Sequence, residues 1–248
     1  MEKAVKRYAP IFVLPTFLAF VIGFILPFIE GLYLSFCQFT TVKDAKFIGI
    51  GNYQRIFTDS TFTNSFKFTV LFAVASIVLI NVIAFILALL LTRKLKGTNI
   101  FRTIFFMPNL IGGIVLGYIW QFIFSRVLVD LNSILNLPIF AKSWLSSPQG
   151  AFAAMVIVTT WQYSGYMLLI YISGFVSVPQ DLIEAAKIDG GTASQITRHI
   201  TMPMMVPAFV TCIFLSLTRC FKVYDLNLAL TAGGPYDSTK MAAMHIYT

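Results

Sequence analysis

The segment Val70–Leu91, VLFAVASIVLINVIAFILALLL, decides the fold, because it contains no charged residue along its whole length. As a helix that rises about 1.5 Å per residue, such a run crosses a hydrocarbon core of roughly 30 Å. The rest of the chain has the same character, since 58% of its 248 residues are hydrophobic and only 11% are charged. This composition leaves too little polar surface for a water-soluble protein of that size. The sequence therefore predicts an integral membrane protein.

Four further apolar segments have the length of a membrane span. None shows the alternation of a transmembrane strand, and a helix satisfies its own backbone hydrogen bonds where no water is present. The predicted fold class is therefore all-α, a polytopic transmembrane helical bundle, with residues 1–248 as a single domain. The five predicted spans are Ile11–Phe36, Val70–Leu91, Met107–Phe124, Ala151–Phe175 and Ile200–Thr218.

A polar segment, residues 176–203, separates the fourth and fifth spans. Pro179 suits the first turn of a helix, and the glycine pair that begins at Gly190 would end that helix. Residues 192–199 can form a second short helix, with Thr192 or Ser194 as its cap. These residues predict two short helices joined by a turn. They equally fit an amphipathic loop that lies on the membrane surface, and the residues alone leave both interpretations open.

The spacing of this segment resembles that of a known family. EAA at 184–186, Gly190, Ile200 and Pro203 match the cytoplasmic coupling loop of ATP-binding-cassette (ABC) importer permeases. The segment 161–191 also resembles the carbohydrate-type members, and LTAGGP at 230–235 is similar to the LTGGGP of maltose and glycerol-phosphate permeases. Two residues depart from the family pattern: Ala232 replaces a glycine, and Met202 replaces the usual leucine before proline.

The resemblance implies a type I importer permease that conducts a sugar, oligosaccharide, polyol or glycerol-phosphate compound. It implies a second, similar permease as heterodimer partner, two ATPase subunits and an extracytoplasmic solute-binding protein. It also implies a bacterial or archaeal inner membrane, with a sixth helix that is apparently missing after the GGP segment. The coupling residues that it implies are Glu184, Ala185, Ala186, Gly190, Ile200, Met202 and Pro203.

Basic residues in the short loops favour a cytoplasmic N-terminus, because positive charge concentrates in cytoplasmic loops. Basic residues in the longer loop after the first span argue the other way. Anionic lipid headgroups account for the net charge of +8, so the bilayer is an expected partner and nucleic acid is not. The residues in favour are Lys3, Lys6, Arg7, Arg93, Lys94, Lys96 and Arg102, and those against are Lys43, Lys46, Arg55 and Lys67.

No catalytic or metal-binding motif is present in the sequence. The chain contains no phosphate-binding GxxxxGK[ST] loop, GxSxG elbow or HExxH helix. We therefore expect a non-catalytic subunit without cofactor or metal, in which ATP is hydrolysed by a partner. The alternatives are an importer permease for another solute class, such as amino acids or phosphate, a secondary transporter driven by an ion gradient, and a membrane enzyme.

Polar and aromatic side chains within the spans are the candidates for the solute path. Trp161, Gln162, Tyr163 and Tyr166 interrupt the fourth span, and Asn81 interrupts the second. Aromatic faces beside an amide are suited to sugar rings. The alternative for each is an interfacial position or a hydrogen bond to a neighbouring helix.

Three further polar residues, Arg219, Lys222 and Tyr224, follow the fifth span. We expect them to anchor that helix at the headgroups or to face the outer vestibule.

Overall fold

The computed structural model describes residues 2–92 and 97–247. Arg93, Lys94 and Lys96, on which part of the orientation argument rests, lie outside the described residues. Most of the described chain is helical. The α-helices are α1 (Glu2–Phe20), α2 (Leu26–Ser35), α3 (Gly51–Thr58), α4 (Ser60–Leu91), α5 (Thr98–Phe106), α6 (Gly113–Phe122), α7 (Leu128–Leu135), α8 (Pro148–Val176), α9 (Gln180–Ile188), α10 (Ala193–Ile196), α11 (Met202–Met204), α12 (Val206–Phe221), α13 (Asp225–Leu230) and α14 (Ala242–Tyr247).

Shorter elements connect these helices. Two strands, β1 (Cys37–Gln38) and β2 (Lys46–Phe47), pair antiparallel with Cys37 opposite Phe47. The π-helical turns are Val21–Ile25, Ile123–Val127 and Thr197–Thr201, and the 3₁₀ turns are Val42–Asp44, Met107–Leu110, Pro138–Phe140 and Trp144–Ser146.

Four helical segments of the described chain are long and apolar enough to cross a membrane, and a fifth qualifies if a bent pair of helices is one span. The bent pair is Ala193–Met204 with Val206–Phe221, and its two parts meet at 61°. The four continuous segments are Pro10–Ser35, Ser60–Leu91, Gly113–Ile134 and Pro148–Val176.

The third and fifth spans differ from the prediction. The third was expected over 107–124, but Met107–Leu110 is a 3₁₀ turn and the helical segment begins at Gly113. Pro108 lacks a backbone donor and the glycine pair at 112–113 is flexible, so the chain breaks there despite its hydropathy. The fifth, expected over 200–218, bends at Met205 before Pro207, which cannot continue an α-helical hydrogen-bond ladder from the preceding turn.

Contacts divide the chain into two compact units, of which the first ends at Thr63 and the second begins at Asn64. The prediction that residues 1–248 form one permease domain stays a prediction. In the first unit, Asn52 Nδ2 donates to the carbonyls of Ser35 at 3.0 Å and Cys37 at 2.8 Å. These bonds attach α3 to the end of α2.

Helix α8 lies at the centre of the second unit. Ser147 caps its first turn by accepting the Gly150 N–H at 3.2 Å, and Pro148 occupies the first helical position. In its most apolar stretch 61% of the residues are buried, against 28% for α4. Tyr171 of α8 is completely enclosed, and its ring lies 5.6 Å from Phe85 of α4 and 5.2 Å from Phe209 of α12, centroid to centroid. The core of the second unit is therefore built around α8.

Glycines let helices approach α8 and α6 closely. A Cβ at Gly165 of α8 would overlap the carbonyl oxygen of Phe105 at the end of α5. A Cβ at Gly117 of α6 would lie 2.6 Å from Cβ of Ala229 in α13. Small residues at helix contacts are typical of membrane proteins, because close packing replaces the hydrophobic attraction that lipid removes.

The Gly165 contact predicts that one added methyl group at this position destabilises the protein. We expect Gly165→Ala to lower stability by about 1–3 kcal/mol, because α5 and α8 must separate to admit the Cβ. The three cysteines of the described chain, Cys37, Cys212 and Cys220, are buried, so a thiol-reactive dye reports unfolding in detergent. Gly23→Ala is the matched control, since a Cβ at Gly23 meets open space. Equal melting temperatures for the two variants would contradict the packing argument.

Candidate functional site

The polar segment between α8 and α12 folds into two short helices joined by a tight turn. α9 ends in a Schellman motif, in which Gly190 N–H donates to the Lys187 carbonyl at 3.1 Å and Gly191 N–H to the Ala186 carbonyl at 2.8 Å. Gly190 has φ +81°, a conformation that glycine adopts without strain. α10 begins with a capping box, since Thr192 and Gln195 each accept the other's backbone N–H. We call residues 179–204 the loop knob.

The loop knob presents apolar side chains to its surroundings. Leu182 is 45% exposed and Ile188 is 86% exposed, and both belong to α9. The predicted coupling residues Glu184 and Ala185 are also exposed, and a Cβ at Gly190 would meet nothing within 4 Å. The remaining predicted coupling residues lie in the same knob: Ala186, Ile200 and Met202 are partly buried, and Pro203 is exposed.

A groove of about 330 Å³ separates the two helices of the knob. Ala186 and Gly190 line one side, and Gln195, His199 and Ile200 line the other. His199 Nδ1 lies 3.0 Å from the carbonyl of Gln195, which makes Nδ1 the protonated nitrogen of this bond. The knob therefore combines exposed apolar surface with a small concave site, an arrangement that suits contact with another protein.

Asn81, the first of the candidates for the solute path, bonds to neighbouring helices. Asn81 Nδ2 donates to the Ile77 carbonyl at 2.8 Å and to Ser216 Oγ at 3.2 Å. Its Oδ1 accepts the Tyr171 hydroxyl at 2.8 Å. Its amide therefore joins α4, α8 and α12, which is the interhelical alternative weighed for this residue.

Trp161 and Gln162 face different surroundings. Trp161 is 42% exposed, and its ring lies edge-on to Trp120 of α6 at 5.5 Å between centroids. Gln162 is only 4% exposed, and its Nε2 donates to the Ile111 carbonyl at 3.1 Å. Its Oε1 has no hydrogen-bond partner among the described residues. A buried acceptor without a donor is uncommon and needs an explanation.

The rings of Tyr163 and Tyr166 contact a cationic side chain, that of Arg219, which was not among the residues predicted for the solute path. The guanidinium of Arg219, in the last turn of α12, lies 4.9 Å from the ring centroid of Tyr163 and 4.6 Å from that of Tyr166. Arg219 Nη1 also donates to Asn109 Oδ1 at 2.6 Å. Each cation–π contact contributes about 0.5–2 kcal/mol, depending on solvation. We call Arg219, Tyr163 and Tyr166 the arginine–tyrosine stack.

A small polar cavity adjoins this stack. Its volume is about 170 Å³, and Gln162, Tyr163, Lys222, Tyr224 and Asp225 are among the residues that line it. The structure thus brings Gln162, Tyr163 and Tyr166 together, and leaves Asn81 and Trp161 in other contacts.

Sequence reasoning missed the roles of Arg219 and Asn109. The expectation that Arg219 anchors a helix end at the headgroups or faces the outer vestibule did not include its contact with α8, where its guanidinium lies over the rings of Tyr163 and Tyr166. The available signal was an arginine within the last turn of an apolar helix, since an ionisable residue in a span is a functional candidate. Asn109 gave no signal, because its partner lies far along the chain.

Residues 93–247 match the family described as "Binding-protein-dependent transport system inner membrane component". The chain is 44% identical over 237 residues to the "Probable starch degradation products transport system permease protein AmyD" of Thermoanaerobacterium thermosulfurigenes, which covers 96% of this chain and 81% of that protein. It is 31% identical over 228 residues to the "Multiple sugar-binding transport system permease protein MsmF" of Streptococcus mutans, with 92% of this chain and 79% of that protein covered.

A solved structure has the same fold. A chain of a bacterial ABC transporter involved in the import of the acidic polysaccharide alginate superposes with a TM-score of 0.82, over 99% of this chain and 85% of that chain. The two sequences are 21% identical, so this likeness concerns the fold alone. The predicted all-α polytopic bundle of the importer-permease class is confirmed.

The Asn81 network predicts a loss of stability without a change in solute preference. Asn81→Leu leaves the buried Tyr171 hydroxyl without its acceptor, which costs about 1–3 kcal/mol. We expect a lower melting temperature in detergent and an unchanged order of preference among transported solutes. Asn99→Leu, at an exposed position of α5, is the matched control. An altered solute preference would instead place Asn81 in the path.

Proposed function

This chain belongs to the family of binding-protein-dependent transport system inner membrane components, and we propose that the solute it conducts is a sugar, oligosaccharide, polyol or glycerol-phosphate compound. It is a membrane-spanning permease subunit of an ABC importer, and a transport component rather than an enzyme. The predicted family is thereby confirmed. The secondary transporter and the membrane enzyme, which the sequence left open, are excluded by this membership.

The observation that carries the proposed solute class is the polar and aromatic face of α8. Tyr163 and Tyr166 offer ring faces, Gln162 a buried acceptor, and Arg219 further N–H donors. A pyranose has apolar faces and a rim of hydroxyls, so it suits a site of this kind. The names of the two relatives, which refer to starch degradation products and to multiple sugars, support the same class.

We propose further that the loop knob couples transport to a separate ATPase. Exposed Leu182 and Ile188 support this role, because apolar side chains outside the membrane are stabilised by burial against a partner. Ala185 lets a second surface approach closely, and Glu184 offers a carboxylate to a basic residue. Two ATPase subunits, a second permease and an extracytoplasmic solute-binding protein complete the proposed assembly, with the N-terminus and the knob in the cytoplasm.

The turn at Gly190 provides a test of coupling. We expect Gly190→Asp to abolish solute-stimulated ATP hydrolysis in the assembled transporter while membrane insertion stays normal, because a charged side chain enters the open space over the turn. Gly190→Asn is the matched variant, since asparagine has nearly the same shape and tolerates positive φ. We expect it to retain most activity. Normal activity in Gly190→Asp would remove Gly190 from the coupling surface.

The solute class is tested with the complete transporter in proteoliposomes together with its own binding protein. We expect maltotriose, sorbitol or glycerol 3-phosphate to stimulate ATP hydrolysis, because the α8 face suits hydroxyl-rich solutes. Histidine and inorganic phosphate represent the other importer classes. Stimulation by either of these alone would overturn the proposed solute class and leave the family membership untouched.

A further inference from the structure

The segment between α13 and α14 carries an aromatic side chain that is almost entirely exposed. Tyr236 is 98% exposed, more than any other large hydrophobic residue within 2–92 and 97–247. Asp237, the next residue, is exposed as well. We call residues 232–238 the outer tip. Because so little of the Tyr236 side chain is covered, its ring contributes almost nothing to the packing of the second unit.

The backbone of the outer tip has an unfavourable conformation. Tyr236 and Asp237 both have φ +55°, and Ala232 has φ +48°. The left-handed region is uncommon for any residue with a Cβ, and a bulky residue such as tyrosine is an outlier there. Residues in such conformations persist only where the surrounding structure fixes them, and they cluster at binding sites and other functional positions. The strain at Tyr236 therefore points to a function of the outer tip.

A buried polar side chain fixes the base of the outer tip. Asn227 of α13 is completely buried, and its Nδ2 donates to the Thr239 carbonyl and to Thr231 Oγ1, both at 2.9 Å. Its Oδ1 accepts the Met241 N–H at 3.2 Å. Thr239 Oγ1 donates to the Gly234 carbonyl at 2.7 Å. These bonds join the chain on both sides of the tip, so much of the entropic cost of ordering it is met on folding rather than on docking.

The contacts of this base lie at the end of the second unit that is remote from the loop knob. Asn227 Nδ2 lies 3.6 Å from Sδ of Met155, which belongs to the first third of α8. About 30 Å of helix separates Met155 from Val176, after which the knob begins. Just beyond the tip, the Ala242 N–H donates to Thr69 Oγ1 in the first third of α4 at 2.8 Å. With the knob in the cytoplasm, as proposed, the outer tip lies on the extracytoplasmic side.

We propose that the outer tip is a docking point for the extracytoplasmic solute-binding protein, with the Tyr236 ring as its central contact and the Asp237 carboxylate beside it. This proposal rests on the proposed function, which includes that protein as a partner. A tyrosine offers a rigid ring and a hydroxyl, a combination that is enriched in protein–protein interfaces. A headgroup anchor would not need the strained backbone, since a tyrosine at a helix end reaches the interface in an ordinary conformation.

Photocrosslinking identifies what the outer tip contacts. Tyr236 is replaced by the photoreactive amino acid p-benzoylphenylalanine, and the complete transporter in proteoliposomes is illuminated with its purified binding protein and maltotriose. We expect an adduct with the mass of this chain plus the binding protein. Tyr118, an exposed tyrosine within the span formed by α6, is the matched control position and is expected to give no such adduct. Adducts with lipid alone at position 236 would make the tip a headgroup anchor and would overturn the proposal.

The affinity for the binding protein gives a quantitative readout. We expect Tyr236→Ala to raise the concentration of binding protein that half-stimulates ATP hydrolysis about tenfold, the loss typical of one central aromatic contact. Tyr236→Phe keeps the ring and is expected to stay close to the unsubstituted value. Tyr118→Ala is the control for the removal of an exposed tyrosine. An equal concentration for Tyr236→Ala and Tyr118→Ala would overturn the proposal.

Tyr236→Gly separates docking from folding. Glycine adopts φ +55° without strain, so we expect its melting temperature to be at least that of Tyr236→Ala, while the half-stimulating concentration rises as in Tyr236→Ala. Lower melting temperatures in both variants with an unchanged concentration would assign Tyr236 a structural role only and would overturn the proposal. If the binding protein does not stimulate even the unsubstituted transporter, the proposed partner itself fails. Stimulation without an adduct at position 236 overturns only the docking at the outer tip.

Discussion

The close approach of Gly165 to the Phe105 carbonyl fixes the position of α8, on which the rest of the second unit depends. In lipid, helices gain little from hydrophobic attraction, so their association depends on packing and on hydrogen bonds between them. A similar close contact occurs between Gly174 of α8 and Ala208 of α12, since a Cβ at Gly174 would lie 2.8 Å from the Cβ of Ala208. Because glycines draw these helices together, side chains as short as Asn81 can bond across the contact.

Polar side chains in the spans have two different roles in this packing. Both polar atoms of the Asn81 side-chain amide are used by neighbouring helices, so Asn81 holds three elements together. Gln162 is only partly satisfied, since its Nε2 donates to the Ile111 carbonyl and its Oε1 has no partner among the described residues. A buried polar group that lacks partners raises the free energy of the resting structure, and a hydroxyl-rich solute can supply what is missing. Incomplete satisfaction thus distinguishes Gln162 from Asn81 among the candidates for the solute path.

Local rules predicted much of the fold and of the loop knob. Val70–Leu91 lies within α4 because hydropathy and length determine a span, and the turn at Gly190 follows from the backbone freedom of glycine. Hydropathy could not locate the break before Gly113, since an average over many residues does not detect Pro108. The arginine–tyrosine stack joins residues that lie far apart in sequence, so no local pattern indicates which face Arg219 occupies.

The two helices that carry the arginine–tyrosine stack are also the two that flank the loop knob. α8 continues from Tyr166 to Val176 and is followed at once by α9, while α12 begins directly after the bend at Met205 and carries Arg219 in its last turn. Tyr166 therefore lies about 15 Å along α8 from the knob. Packed helices move as rigid elements rather than deforming continuously. A displacement of the knob that moves one of these helices more than the other consequently shifts α8 relative to α12. The contacts of Arg219 with Tyr163 and Tyr166 join these two helices, so they are among the first to respond to such a displacement.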